Sequence, residues 1–142
     1  MAHLLMIAPA PVIEAGNLVR LDVKFVEGMH RQQAHWPSRI TCLLRRGAPS
    51  IPFGRDYDRG ELPFDLRILD QDETLDAHHL AGGDLIYAGG DDFRCLELID
   101  HLKPGQKIVY VIEYTDETRR QIIDLDRDRG LLRRLKGRIW LM

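Results

Sequence analysis

Apolar positions recur along this chain with two different periods, and the switches between them mark out its elements. His3–Ala8 is a continuous apolar run closed by Pro9 and Pro11, the pattern of a strand buried on both faces. After a loop over Ala10–Gly16, the residues Leu18, Leu21, Phe25, Met29 and Trp36 recur at helical spacing, with Arg20, Lys24, Glu27 and Arg31 on the opposite side. The spacing predicts a helix over Leu18–Trp36, capped by Asn17 and stopped by Pro37-Ser38. Ile40–Leu44 reads as a second strand, and Gly47–Pro63, rich in Gly, Pro, Asp and Arg, as a long surface loop. Phe64–Leu69 is a third strand, and Gln71–Gly83 has room for one short helix. Asp84–Ala88 is a fourth strand, followed by a tight turn at Gly89-Gly90-Asp91-Asp92 and an amphipathic helix over Phe93–Leu102 that Lys103-Pro104-Gly105 ends. Lys107–Ile112 is a fifth strand. Thr115–Arg127 is charged and helical, with Ile122, Ile123 and Leu125 on its apolar side. Gly130 breaks it, and Leu131–Met142 begins another helix.

Strands that alternate with helices imply an α/β fold with a parallel sheet covered on both faces. Right-handed crossovers then give a Rossmann-like, doubly wound sheet, and the expected strand order is 3-2-1-4-5 in a single domain. Residues 1–126 form that domain in this reading, and 127–142 a basic amphipathic helix. In such sheets ligands bind beyond the carboxyl ends of the strands, where the strand order reverses. The loops after the first, fourth and fifth strands therefore carry the candidate site.

Composition narrows the class. The chain has 142 residues, enough for one domain with a real core, and is 44% hydrophobic and 30% charged. A net charge of −2 gives no field for nucleic acid as partner. Cys42 and Cys95 sit among apolar neighbours without a CxxC, which suits a reducing compartment and a cytoplasmic location. The opening apolar run is too short to span a bilayer and lacks a basic leader. Charge is unevenly spread. Arg127, Arg129, Arg133, Arg134, Lys136 and Arg138 face Asp128 alone, behind an acidic body. Arg133, Arg134, Lys136, Arg138 and Trp140 form a basic face with apolar residues between, suited to packing on further sequence or lying on an anionic inner-membrane surface. The apolar ending Ile139–Met142 reads as a chain that continues.

At the first rim loop, Glu14, Gly16 and Asn17 lead toward the expected helix, whose free N–H groups would favour an anion, although turn and cap chemistry alone explains Gly16 and Asn17. At the second, Gly89 and Gly90 let a ligand approach backbone, and Asp91 and Asp92 suit sugar hydroxyls or a helix cap. At the third, Glu113 ends an apolar strand as a candidate base, beside Tyr114. No dinucleotide or Walker glycine motif is present. His78 and His79 are adjacent, and His30 and His35 are five apart, so neither pair shares a helix face and no metal site is expected.

On these residues the chain resembles the N-terminal domain of bacterial two-domain GT-B glycosyltransferases, the retaining group 1 enzymes with a subfamily 4-like N-terminal domain. The resemblance runs from His3 to about Gln121 and rests on His3–Pro9, on the Leu18–Trp36 segment with Arg39–Leu44, on Asp84–Asp91 and on Lys107–Tyr114. Where relatives have a double glycine after the first strand, this chain has Ala15-Gly16-Asn17. Where they have histidines after the fourth and fifth strands, it has Tyr87, Gly89 and Glu113. The resemblance implies an acceptor-binding half that is inactive alone. A sugar or lipid-linked acceptor would lie in its cleft, a nucleotide-sugar donor on an absent C-terminal domain, and no bound cofactor or metal would be needed. It also gives the basic segment a role at the inner membrane. Two other readings stay open: a freestanding flavodoxin-like or receiver-like binding or signalling domain, and a fragment of another GT-B enzyme such as an epimerase or phosphorylase.

Overall fold

A single long strand organises the molecule. The computed structural model describes residues 1–47 and 50–112, with the single positions 118 and 121. Strand β1 (Leu4–Ala15) runs into a two-residue turn and returns as β2 (Leu18–Asp22), which leads directly into helix α1 (Val23–His35). Then follow β3 (Ile40–Arg46), β4 (Gly54–Asp58), a 3-10 turn over Arg59–Glu61, β5 (Asp65–Leu69), β6 (Leu85–Gly89), the short helix α2 (Phe93–Leu96), which tightens into 3-10 geometry over Glu97–His101, and β7 (Lys107–Val111). The chain divides into two compact units, Met1–Val111 and Ile112–Met142.

The fold is α/β with an open, mostly parallel sheet. Among the described residues it has seven strands rather than the five expected, along a path β4-β2-β1-β3-β5 with β6 on β1 and β7 on β6. The expected five-strand order is therefore not the order of this sheet. Pairing is parallel for β5-β3, β3-β1, β1-β6 and β6-β7, and antiparallel for β1-β2 and β2-β4. The register of β1 shifts on β3 after Ile7↔Leu43 and resumes at Pro11↔Arg45, so Ala8, Pro9 and Ala10 oppose Leu44 alone. Such an insertion bends a strand.

Side chains alternate across the sheet. Leu4, Ile40, Cys42 and Leu44 join Val12, Val19, Leu21 and the α1 residues Val26 and Met29 on one face. Leu5, Ile7, Leu43, Ile86 and Ala88 join Leu75, Leu80, Cys95 and Leu98 on the other. Burying each large side chain contributes on the order of 1.5–3 kcal/mol.

Three expectations are corrected here. The helix expected from Leu18 begins at Val23, and its cap is Asp22, not Asn17: Asp22 Oδ1 accepts the N–H groups of Lys24 (2.7 Å) and Phe25 (3.2 Å). Gly16 and Asn17 form instead the loop of the β1–β2 hairpin between the paired Ala15 and Leu18. Gly16 has φ +63° and Asn17 a negative φ, the arrangement of a II′ turn whose twist matches the flanking strands. Second, the Gly47–Pro63 loop contains β4, whose polar sequence Gly-Arg-Asp-Tyr-Asp pairs with β2. Third, Gln71–Gly83 holds turns rather than a helix. There Asp76 Oδ1 accepts the N–H groups of His78 (2.8 Å) and His79 (3.4 Å), and Glu73 Oε2 accepts that of Asp70 (2.8 Å). Such local side-chain bonds compete with helical ones. Among the described residues α1 is thus the only long helix, and the second face is covered by this irregular segment together with the short α2 and its 3-10 continuation. The helices expected over Thr115–Arg127 (Thr118 and Gln121 apart) and Leu131–Met142 lie outside the described residues.

Candidate functional site

The sheet leaves a notch at the carboxyl end of its parallel strands. Both β6 and β2 pair with β1 on the edge away from β3, β6 along Leu4–Ile7 and β2 along Ile13–Ala15. Among the described residues no strand pairs with Ala8–Val12 on that edge. Gly89, one step past the Ile7↔Ala88 pair, is level with Ala8; Asp22, two steps past the Ile13↔Arg20 pair, is level with Pro11. Three residues of strand separate these levels, at most about 10 Å, and the bulge shortens the span. Pro9 and Pro11 remove two N–H donors from the open stretch, so it makes a poor template for a further strand.

The lower lip of the notch is Gly89-Gly90-Asp91-Asp92. A side chain at Gly89 would meet nothing within 4 Å, so the backbone there is open to approach. Gly90 N–H donates to Val111 O (2.8 Å), which fixes the turn to β7. Asp92 caps α2 through Arg94 N–H (3.0 Å) and also accepts from Arg94 Nε (3.0 Å) and Nη2 (2.9 Å). Those hydrogen bonds hold its carboxyl below the usual carboxylate range.

The upper lip is the end of the β2–β4 ladder and the start of α1. All three opening N–H groups of this helix are occupied: Val23 N–H donates to Phe53 O (3.2 Å), and Asp22 takes the next two. The anion cradle expected after the first strand is therefore not built, because the chain makes a hairpin there and the helix that follows is already capped. Phe53 itself has φ +57°, the left-handed region, and is 76% exposed, with Lys24 Nζ 5.6 Å from its ring centre.

On the β3 side the rim is a lattice of ion pairs. Glu14, expected in the cleft, accepts from Arg46 Nη1 and from Arg59 Nη2 (2.6 Å), and Arg46 Nε donates to Asp70 (2.8 Å). Arg45 Nη1 donates to the carbonyls of Asp70 (3.0 Å), Gln71 (3.2 Å) and Glu73 (2.8 Å), which ties the segment after β5 to β3. Its Nη2 is buried with no protein partner. Further along that segment His79 lies between two carboxylates, with Nε2 3.0 Å from Glu73 and Nδ1 2.8 Å from Asp76. The histidine depresses both carboxyls.

The structure thus brings Gly89, Gly90, Asp91 and Asp92 together at the notch. Glu14 is drawn into the arginine lattice, and Gly16 and Asn17 lie at the hairpin tip. Glu113, Tyr114, Arg133, Arg134, Lys136, Arg138 and Trp140 lie outside the described residues. The sequence reading passed over Arg45, Arg46, Arg59, Arg94 and Phe53. Arg45 and Arg46 were accessible to it, since they end an apolar strand in the same way as Glu113. Burial pushes the Cys42 thiol up to about 12 and that of Cys95 up to about 11, so neither is a reactive thiolate. Among the described residues no three His, Cys, Asp or Glu side chains are grouped to hold a metal ion, and no helix is long and apolar enough to cross a membrane. No family model, curated protein or solved structure matches the chain.

Proposed function

We propose that the chain is a Rossmann-like domain of the GT-B kind that forms the acceptor-binding half of a glycosyltransferase, with the notch between β6 and the β2–β4 ladder as its acceptor cleft. The observation that carries this reading is the makeup of the notch. It lies where ligands bind in open parallel α/β sheets, and its lips offer glycine backbone and carboxylates but no phosphate cradle. Carboxylates and exposed backbone suit neutral hydroxyls, since each carboxylate has about four acceptor sites. A diphosphate finds no helix cradle there, since the opening N–H groups of α1 are spent on Asp22 and Phe53. The division of labour follows. This domain orients a sugar-bearing acceptor, while a second domain holds the nucleotide-sugar donor, and turnover requires both walls to align the reactants and exclude water.

Nuclear magnetic resonance of the chain with labelled backbone amides tests the proposal. Neutral methyl glycosides are expected to shift Gly89, Gly90, Asp91 and Asp92, and nucleotide-sugars without a second domain are expected to leave them unmoved. Tight binding of a nucleotide-sugar at these residues would overturn the acceptor assignment.

A further inference from the structure

The Ile51-Pro52-Phe53-Gly54 turn is built against local preference. Gly54 N–H closes it on Ile51 O (2.9 Å), and Pro52 at its second position suits a turn whose third residue needs positive φ. Glycine or asparagine normally fills that third position; here it is phenylalanine, at φ +57°. A bulky side chain in this region is a genuine outlier. The surroundings hold it in place: Gly54 is locked because a Cβ would lie 2.8 Å from Ile51 O, and Phe53 O caps the first N–H of α1. The strain secures no burial, for the ring is 76% exposed. Lys24 Nζ stands over one side of it at 5.6 Å, and that degree of exposure leaves the rest of the ring in solvent.

This turn ends the β2–β4 ladder, beside the Asp22↔Gly54 pair on the upper lip of the notch. Resting on the acceptor-cleft reading above, we infer that Phe53 is a stacking platform for a pyranose ring of the acceptor, on the face of the aromatic ring that Lys24 leaves open. A pyranose has an apolar face of C–H bonds that fits the negative face of an aromatic ring, and its hydroxyls suit the carboxylates and glycine backbone of the opposite lip.

The test uses the full chain, the methyl glycosides of glucose, galactose and mannose as probes, and the variants Phe53→Gly and Phe53→Tyr. Phe53→Gly relieves the positive φ, so it is expected to fold and to melt at a higher temperature than the parent. The inference expects saturation transfer from Phe53 ring protons to one face of a bound glycoside, at least a tenfold loss of affinity in Phe53→Gly, and retained affinity in Phe53→Tyr. A glycoside that shifts Gly89–Asp92 but binds Phe53→Gly unchanged overturns the Phe53 assignment and leaves the cleft standing. Contact with Phe53 but none with Gly89–Asp92 overturns the cleft and keeps the platform. No binding of any of the three overturns both.

Discussion

On the β6 side of β1 the amino end of the parallel strands is stitched by side chains, whereas the carboxyl end is left open there and carries its ion pairs on the β3 side. At the amino end His3 bridges three strands. Its backbone N–H donates to Asp84 Oδ2 (2.7 Å), its Nδ1 faces Gly82 O (2.5 Å), and its Nε2 faces the buried Thr41 hydroxyl (2.8 Å). The Gly82 carbonyl only accepts, so Nδ1 carries a hydrogen and, in the neutral ring, Nε2 accepts from Thr41. Gln106 closes the next gap with Nε2 bonds to Leu80 O (2.8 Å) and Gly83 O (2.6 Å). At the carboxyl end β1 runs past its neighbour, a bulge bends it, and glycines and aspartates line the gap. On the β6 side of β1, polar bonds that cross strands fasten the amino end, and polar groups at the carboxyl end are presented along an open edge. The two ends of the same strands thus use their polar groups differently.

The sharpest way to break this comparison is to attack the closed end. Leu80, fully buried in the cluster that holds Leu5 and Ile86, anchors the irregular segment there. Leu80→Ala is expected to cost about 2–5 kcal/mol in urea unfolding. Thr41→Val leaves His3 Nε2 unpaired in a part-buried site and is expected to cost about 1–3 kcal/mol by the same measurement. The two glycines at opposite ends give a paired test. A Cβ at Gly83 would lie 2.9 Å from Leu5 Cβ, so Gly83→Ala is expected to destabilise by about 1–3 kcal/mol. Gly89→Ala, in open space with ordinary φ, should stay within about 0.5 kcal/mol of the parent. Equal effects at the two positions would erase the distinction between the ends. Phe53→Gly, at the open end, is expected to stabilise by up to about 1 kcal/mol, the left-handed strain removed less the greater freedom of glycine in the unfolded chain.

The smallest effect concerns pH. Glu73 and Asp76 have folded-state pKa values below their ordinary ones because His79 hydrogen-bonds to them. Stability from these groups is therefore present above their ordinary values and is lost as pH falls through the depressed folded ones. His79→Gln should flatten thermal stability between about pH 5 and pH 3. Both carboxyls are solvent-exposed, so the change should shrink further in salt.

The parallel strands were legible in the sequence because burial on both faces leaves continuous apolar runs such as Leu4–Ile7 and Ile40–Leu44. The β1–β2 hairpin was not, because Leu18 and Leu21 satisfy both periods at once. Val19 and Leu21, buried between exposed Leu18 and Arg20, show the period-two pattern only when Asp22 is taken as the helix cap. β4 was hidden by its position at the sheet edge, where Arg55, Asp56 and Asp58 face water and only Tyr57 is apolar. At the site, Gly89–Asp92 could be found because turn residues directly follow an apolar strand. Phe53 could not, because its signal is a backbone angle that Pro52 and Gly54 only bracket.

β1 belongs to two ladders that close very different loops, and this has a consequence for how the chain folds. Its hairpin with β2 needs only the two residues of the turn, and such pairs form on the order of microseconds. Its pairing with β6 joins Leu4 to Leu85 and must wait until the whole intervening chain has been gathered in. The hairpin is therefore expected to be in place in the folding transition state while the β1–β6 seam is still open. Substitutions at Val19 would then slow folding, and substitutions at Ile86 would chiefly speed unfolding. The element that props the notch open would thus be present before the notch has a lower lip.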